Sequence, residues 1–239
     1  MYSHQNNFAK ALKWTGDLRD QYLNTLAALR IYERFRKLTA PNVVGKKNAD
    51  ANVKIFGKYP YFFSPLQEAA RCYFFVELAK FFDKNKKKQS LTIELLLDFV
   101  ENNFSSFSKN EFLAHHIEKN FIPALLEGYK PFTLQDIRRI RNRLLRNKEL
   151  ISDLKTYRDQ YLVHNDLKKD DVKITGIQIR TLFKIIQSTI DLFYLKLNFS
   201  STIYSNYDKE PARAVDEVVS ALQEHEKEII RKIKEKYGS

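Results

Sequence analysis

The chain has 239 residues, 44% of them hydrophobic and 13% aromatic, enough apolar surface for a sizeable core, which excludes wholesale disorder. Lys and Arg number 41 against 29 Asp and Glu, and the net charge of +12 favours a polyanionic partner, either nucleic acid or an anionic surface. The single cysteine, Cys72, excludes an intrachain disulfide, and no Cys/His cluster has the spacing of zinc ligands.

Residues Met1–Asn7 lack the apolar run of a signal peptide. The most aromatic stretch, Tyr59 to Phe82, is broken by Pro, Gln, Glu, Arg and Lys, so no membrane span is expected. The expectation is a soluble cytoplasmic protein forming one helical domain over residues 1–239.

Helix-period apolar positions dominate. Leu18, Tyr22, Leu26, Leu29 and Phe35 mark a long first helix that ends before Pro41. Residues 41–63, with Pro41, Gly45, Gly57 and Pro60 among Asn and Lys, read as an extended loop, and Tyr59–Phe63 as its one candidate for a short extended piece. Ser64, Pro65 and Gln67 then spell an N-cap, a first-turn proline and a capping box. That second helix runs through Phe74, Phe75, Leu78, Phe81 and Phe82 to a lysine-rich tip at Lys84–Lys88, read as a solvated loop. Ser90 precedes a short helix through Leu95–Val100, and Ser108 with Glu111 caps the next, which Pro123 must kink or end. Thr133 opens the longest pattern, Leu134 to about Val163, roughly 45 Å if straight. Thr175 with Gln178 caps a helix to Phe199. Asp208 and Pro211 open a last one over 211–237, whose near-heptad stripe is interrupted by Glu226 and suits packing on the bundle or on a second copy. The pattern predicts an all-α bundle of six or seven helices.

No Gly-rich phosphate loop, H-E-x-x-H, G-x-S-x-G or EF-hand loop is present, and no cofactor is expected. Glu111 and His115 share a helix face with His116 adjacent, but such a pair is an ordinary surface contact rather than a metal site. Trp14 and the aromatic second helix read as core. What remains is the segment Tyr157 to Asp166, where Arg158 is followed directly by Asp159 and, six positions on, by His164.

Those residue types suit RNA cleavage. The Arg158 guanidinium stays charged and matches phosphate oxygens with a planar fork. An imidazole titrating near neutrality can take a proton from a 2′-hydroxyl or give one to a leaving oxygen. RNA supplies its own nucleophile, so no metal is strictly required. Asp159 would hold the arginine or orient an imidazole. A blander reading stands beside this one: a histidine at a helix C-terminus is favoured by the macrodipole, and Asn165 is an ordinary capping residue. Arg139, Arg143 and Arg146 cluster opposite a buried stripe of Ile137, Ile140, Leu144 and Leu145. If the helix stays straight, His164 returns to that basic face five turns after Arg146, and an RNA strand could lie along it. The alternative is a solvated basic face with Glu149 and Asp153 nearby.

The run Arg158-Asp159 through His164-Asn165-Asp166 resembles the Arg-x(4 to 6)-His motif of the HEPN superfamily, including its polar residue after the arginine. The stretch Arg71–Lys84 looks like the second helix of the abortive-infection branch, and the capped helix from Thr175 also falls where that branch has one. The resemblance covers roughly residues 15–200. It implies a HEPN-like bundle that dimerises and a metal-independent endoribonuclease leaving a cyclic phosphate, used as a toxin or phage-defence effector. Arg158 and His164 would be the catalytic pair, Asp159 the auxiliary residue, and RNA the substrate. An antitoxin or another defence component would be a partner. Some HEPN toxins carry a modifiable tyrosine two residues after the histidine, and here that position is Asp166. Other members keep the fold as non-catalytic RNA-binding or assembly modules. On a straight helix His164 lies about 120° around from Arg158, so one shared site needs either a distorted helix end or a two-fold axis. A homodimer with a composite cleft follows as the expectation.

Overall fold

The computed structural model describes residues 2–84, 90–116, 127–163, 171–202 and 204–237. Among them are ten α-helices and no strand. They are α1 (Tyr2–Leu38), α2 (Pro41–Val44), α3 (Lys46–Lys58), α4 (Pro60–Lys80), α5 (Ile93–Asn102), α6 (Lys109–His115), α7 (Leu134–Arg146), α8 (Lys148–Tyr157), α9 (Gly176–Asn198) and α10 (Ser205–Tyr237). A 3-10 turn spans Phe104–Phe107, and a π-helical segment, Arg158–Val163, continues α8. The all-α expectation holds. The chain packs as two units, one of Met1–Leu23 with Phe75–Ile203, the other of Asn24–Phe74 with Tyr204–Ser239.

The second of these units corrects the expected loop at 41–63. Pro41 opens α2, Gly45 at φ 80° and ψ 151° makes the link that only glycine adopts readily, and α3 follows at once. Ala49, Asn52 and Ile55 recur at helical spacing and are buried, a pattern hidden by the surrounding Asn and Lys. Next, α4 begins at Pro60, not at Ser64, so Pro65 lies inside the helix. The Tyr59 carbonyl accepts from Phe62 and Phe63 in the new first turn, so no extended piece forms at Tyr59–Phe63. Burial of Phe63 outweighs the one hydrogen bond that Pro65 removes. Phe63 packs with Phe35, Leu38, Ile55, Val215 and Val219 in this unit's core. Asn52 is buried with both amide ends used, donating to the Leu38 carbonyl at 2.8 Å and accepting from Gln223 at 2.7 Å. The stripe of α10 packs here too, and Glu226 is met by Tyr59 at 2.7 Å and by Lys58. Further on, Ile230 and Ile233 are exposed. Pro211 falls inside α10, which starts six residues earlier than the sequence pattern suggests.

The first unit has an aromatic core in which Phe8, Phe81, Phe107, Phe112 and Phe193 are fully buried. Trp14 packs on Phe99 at 4.9 Å, as a core residue would. Thr92 rather than Ser90 caps α5, Ser108 caps α6 as expected, and α6 ends at His115; Pro123 and Lys86–Lys88 lie outside the described residues. The expected long helix from Leu134 is interrupted at Asn147, whose amide donates to the Arg143 carbonyl at 2.9 Å and displaces a regular backbone bond. Thr133 and Asp136 form a reciprocal capping box at the start of α7, and Lys196 of α9, itself buried, reaches the Asp136 carboxylate at 3.4 Å. Thr175 and Gln178 form the expected box at the start of α9.

Two outcomes test this packing. Phe63→Ala should lower the unfolding free energy in urea by about 3–5 kcal/mol, while Phe62→Ala, on a half-exposed ring, should cost less than about 1 kcal/mol; equal effects would return 41–63 to a loop. Burial opposes ionisation of Asp136, but the Thr133 hydroxyl and amide and the Lys196 ammonium outweigh it and hold the carboxyl below its ordinary value. A depressed folded-state pKa contributes stability above the unfolded value and loses it as the pH falls through the folded one. The stability gap between wild type and Asp136→Asn should therefore be full near neutrality and shrink as the pH drops below about 4, read from thermal melts; a gap independent of pH would contradict it.

Candidate active site

The Arg158 side chain is only 16% exposed and is gripped on two edges. Its Nε donates to Asp159 at 2.7 Å, and its Nη1 donates to both oxygens of Asp83, at 2.8 and 3.0 Å. Asp83 comes from the chain just past α4, so the grip ties the end of that helix to the π-helical segment. Lys155, one turn before Arg158, donates to the Phe82 carbonyl and stands 3.9 Å from Asp83. Tyr157 stacks on Tyr161 at 5.1 Å between ring centres and packs against Phe75 at 4.7 Å.

The electrostatics follow from this cluster of two cations and two carboxylates. Burial works against the charge on Arg158, but its bonds to Asp159 and Asp83 more than offset that and hold its pKa above the ordinary value. Burial is also the main influence on Lys155. Asp83 opposes it, Arg158 adds to it, and the ammonium is left below its ordinary pKa. Arg158 is thus a permanently charged, oriented fork. Among the described residues its Nη2 has no hydrogen-bond partner, which leaves a donor edge for an incoming oxyanion.

Of the residues expected to form the site, Arg158 and Asp159 are brought together, and His164 lies outside the described residues, as do Asn165 and Asp166. Distortion at the helix end, one of the two ways to reconcile the motif with helical geometry, is present as the π-helical segment. The straight-helix route from Arg146 to residue 164 fails, because the chain is interrupted at Asn147 and underwound from Arg158. Arg139, Arg143 and Arg146 are all exposed on α7. Ile137 and Ile140 are buried as expected, but Leu145 is 65% exposed, since it lies about 80° around the helix from Ile137 and off the packed stripe.

Sequence reasoning missed Asp83 and Lys155. Lys155 carries a readable signal, a second cation one turn before the motif arginine. Asp83 carries a weaker one, an acid at the end of an aromatic helix with no local cation arrangement to use it. At α6, His116 Nε2 is 2.8 Å from the Leu197 carbonyl and its ring lies on Phe112, the environment of a core histidine. Among the described residues no group of three or more His, Cys, Asp or Glu is placed to hold a metal ion. No helix there is long and apolar enough to cross a membrane.

The clamp makes a measurable contribution. Because both carboxylates are partly exposed and screened, Asp83→Asn should lower the unfolding free energy by about 1–2 kcal/mol. Arg158→Lys, which cannot reproduce the fork, should lose a similar amount by chemical denaturation. Wild-type stability in both would mean that the contacts contribute nothing.

No curated protein and no solved structure matches the chain. A family model does: the HEPN-type AbiU2 model covers residues 9–218, from the first turns of α1 into α10, and includes Arg158, Asp83 and the basic face of α7. With most of its length matched and a wholly helical described structure, the chain belongs to the AbiU2 family of the HEPN superfamily, in its abortive-infection branch.

Proposed function

We propose that the protein is a metal-independent endoribonuclease acting as a toxin or phage-defence effector in the cytoplasm. The observation that carries this reading is the half-buried Arg158 guanidinium, oriented by Asp159 and Asp83 on the segment leading directly into His164. Preorganised positive charge of this kind is what a phosphodiester needs as negative charge accumulates on its non-bridging oxygens. In the proposed reaction the ribose 2′-oxygen attacks the adjacent phosphorus and the bond to the 5′-oxygen breaks. A 2′,3′-cyclic phosphate and a 5′-hydroxyl result. Proton removal from the 2′-hydroxyl and proton delivery to the 5′-oxygen fall to His164, and a homodimer would supply a second copy of it across a shared cleft. An antitoxin or defence-system component would then control the activity.

A second reading is favoured by the same contacts. Asp83 and Asp159 occupy the guanidinium edges a phosphate would use, an arrangement equally suited to a non-catalytic module that binds RNA or assembles without cleaving it.

Incubating wild type, His164→Ala and Arg158→Ala with labelled tRNA and single-stranded RNA in EDTA distinguishes them. The ribonuclease reading expects cyclic-phosphate ends from wild type and at least a hundredfold slower cleavage, about 10² or more, in either variant, with RNA binding retained by His164→Ala. Binding without cleavage in all three would favour the module, and equal cleavage by wild type and His164→Ala would remove His164 from the mechanism.

A further inference from the structure

Most arginines of known environment here are neutralised. Arg30, Arg34, Arg71, Arg141 and Arg158 each have a carboxylate oxygen within 3 Å. The facing sides of α7 and α9 differ. Between them runs a groove of about 490 Å³, lined by Arg143 and Asn147 from one wall and by Thr181, Lys184, Gln187 and Ser188 from the other. Arg143 donates to the Ser188 hydroxyl, a neutral acceptor, and among the described residues neither it nor Lys184 has a carboxylate within 4 Å. Gln187 accepts from the Tyr22 hydroxyl through Oε1 at 3.2 Å. That bond fixes the amide orientation and turns its NH₂ group into a donor without a partner among the described residues. The Thr181 and Ser188 hydroxyls donate to the Ile177 and Ile185 carbonyls of their own helix, so neither competes for the cations as an anion would. Asp191 is the one acidic side chain in the lining.

The charge also extends along a line. Arg139 and Arg146 lie one turn to either side of Arg143 on the same face of α7, and Arg180 lies one turn before Lys184 on the same face of α9. All four are exposed, and the nearest carboxylate to Arg139 is Asp136 at a loose 4.0 Å. A point anion needs one cluster of donors, whereas a row of unneutralised cations beside amide donors suits successive phosphates of a strand. We infer that the α7–α9 groove is a phosphodiester track for single-stranded RNA, in which Lys184 and Gln187 of α9 act together with Arg143. The inference rests on the RNA-acting reading above and adds to it residues from a second helix. It binds the backbone without reading bases, so it supplies affinity and leaves sequence choice to other contacts.

The test is binding of the full-length protein to a fluorescently labelled single-stranded RNA with 2′-O-methyl riboses, which lacks the attacking hydroxyl and survives the assay. Affinity is measured across a salt series for wild type, Lys184→Glu, Lys184→Gln and Arg143→Gln, with Lys227→Glu on exposed α10 as a charge-matched control. Cleavage of unmodified RNA is scored in parallel, and circular dichroism melts confirm folding. The track expects about tenfold weaker binding for Lys184→Glu, smaller losses for the two Gln variants, and a salt slope shallower by about 0.7 for each phosphate left without its cation. Lys227→Glu should match wild type. Wild-type affinity and slope in Lys184→Glu would overturn the track, and if wild type still cleaves RNA the ribonuclease reading survives it. Equal losses in Lys227→Glu and Lys184→Glu would overturn it as undirected charge attraction. Weakened binding in Lys184→Glu with no cleavage by wild type would uphold the track and sink the ribonuclease. No RNA binding by wild type would sink the track outright.

Discussion

A single buried carboxylate sets the register between the two helices that carry the basic groove. Asp136 Oδ2 accepts from the Thr133 amide at 3.0 Å and the Thr133 hydroxyl at 2.8 Å, which fixes where α7 begins, and the same oxygen meets Lys196 from α9. Lys196 also donates to the carbonyls of Lys130 and Pro131, so the chain entering α7 is held from both directions. The end of α9 is finished by side chains from elsewhere in the same unit: the Tyr129 hydroxyl donates to the Lys196 carbonyl and His116 meets that of Leu197. Helix C-termini leave such carbonyls without intrahelical donors, and here buried polar side chains take that role. Burial pushes the Tyr129 phenol well above its ordinary pKa, which keeps its proton in place as donor.

The distribution of ion pairs separates the two charged regions by kind. Arg158 is a fixed charge among carboxylates, directional and partly desolvated, while Arg143 and Lys184 are charges met by neutral groups and water. The first arrangement favours stabilising a developing charge at one place, since its donors need not reorganise. The second favours loose, additive, salt-sensitive attraction. A net charge of +12 therefore understates the difference between regions, because much of the positive charge is already spent in local pairs.

Periodicity and capping chemistry were legible in the sequence wherever the apolar spacing was uninterrupted. Ser108, Thr133 and Thr175 each cap the helix they precede, and the first helix ends where Pro41 was expected to stop it. Misreadings came where a local signal lost to packing. Ser64-Pro65 spells a helix start, yet the ring of Phe63, one residue earlier, is needed in a core built with α1 and α10, and the helix begins upstream to deliver it. Asn147 defeats the long-helix reading through one side-chain hydrogen bond that no periodicity reveals. At the site, the motif arginine and its neighbouring acid were readable as adjacent letters. Asp83, 75 residues away along the chain, was not, because a long-range ion pair leaves no local pattern.

The π-helical turn at Arg158–Val163 also bears on how such a motif can vary. A segment bonded i to i+5 holds one more residue per closed ring than an α-helix, so it absorbs an inserted residue without rotating the helix that precedes it. Five residues separate Arg158 from His164, and the superfamily motif that this run resembles spans four to six. Length variation confined to an underwound turn would leave Arg158 locked to Asp83 and α8 undisturbed. The segment thus acts as an expansion joint, letting the spacing of the motif drift over evolutionary time while its arginine stays anchored.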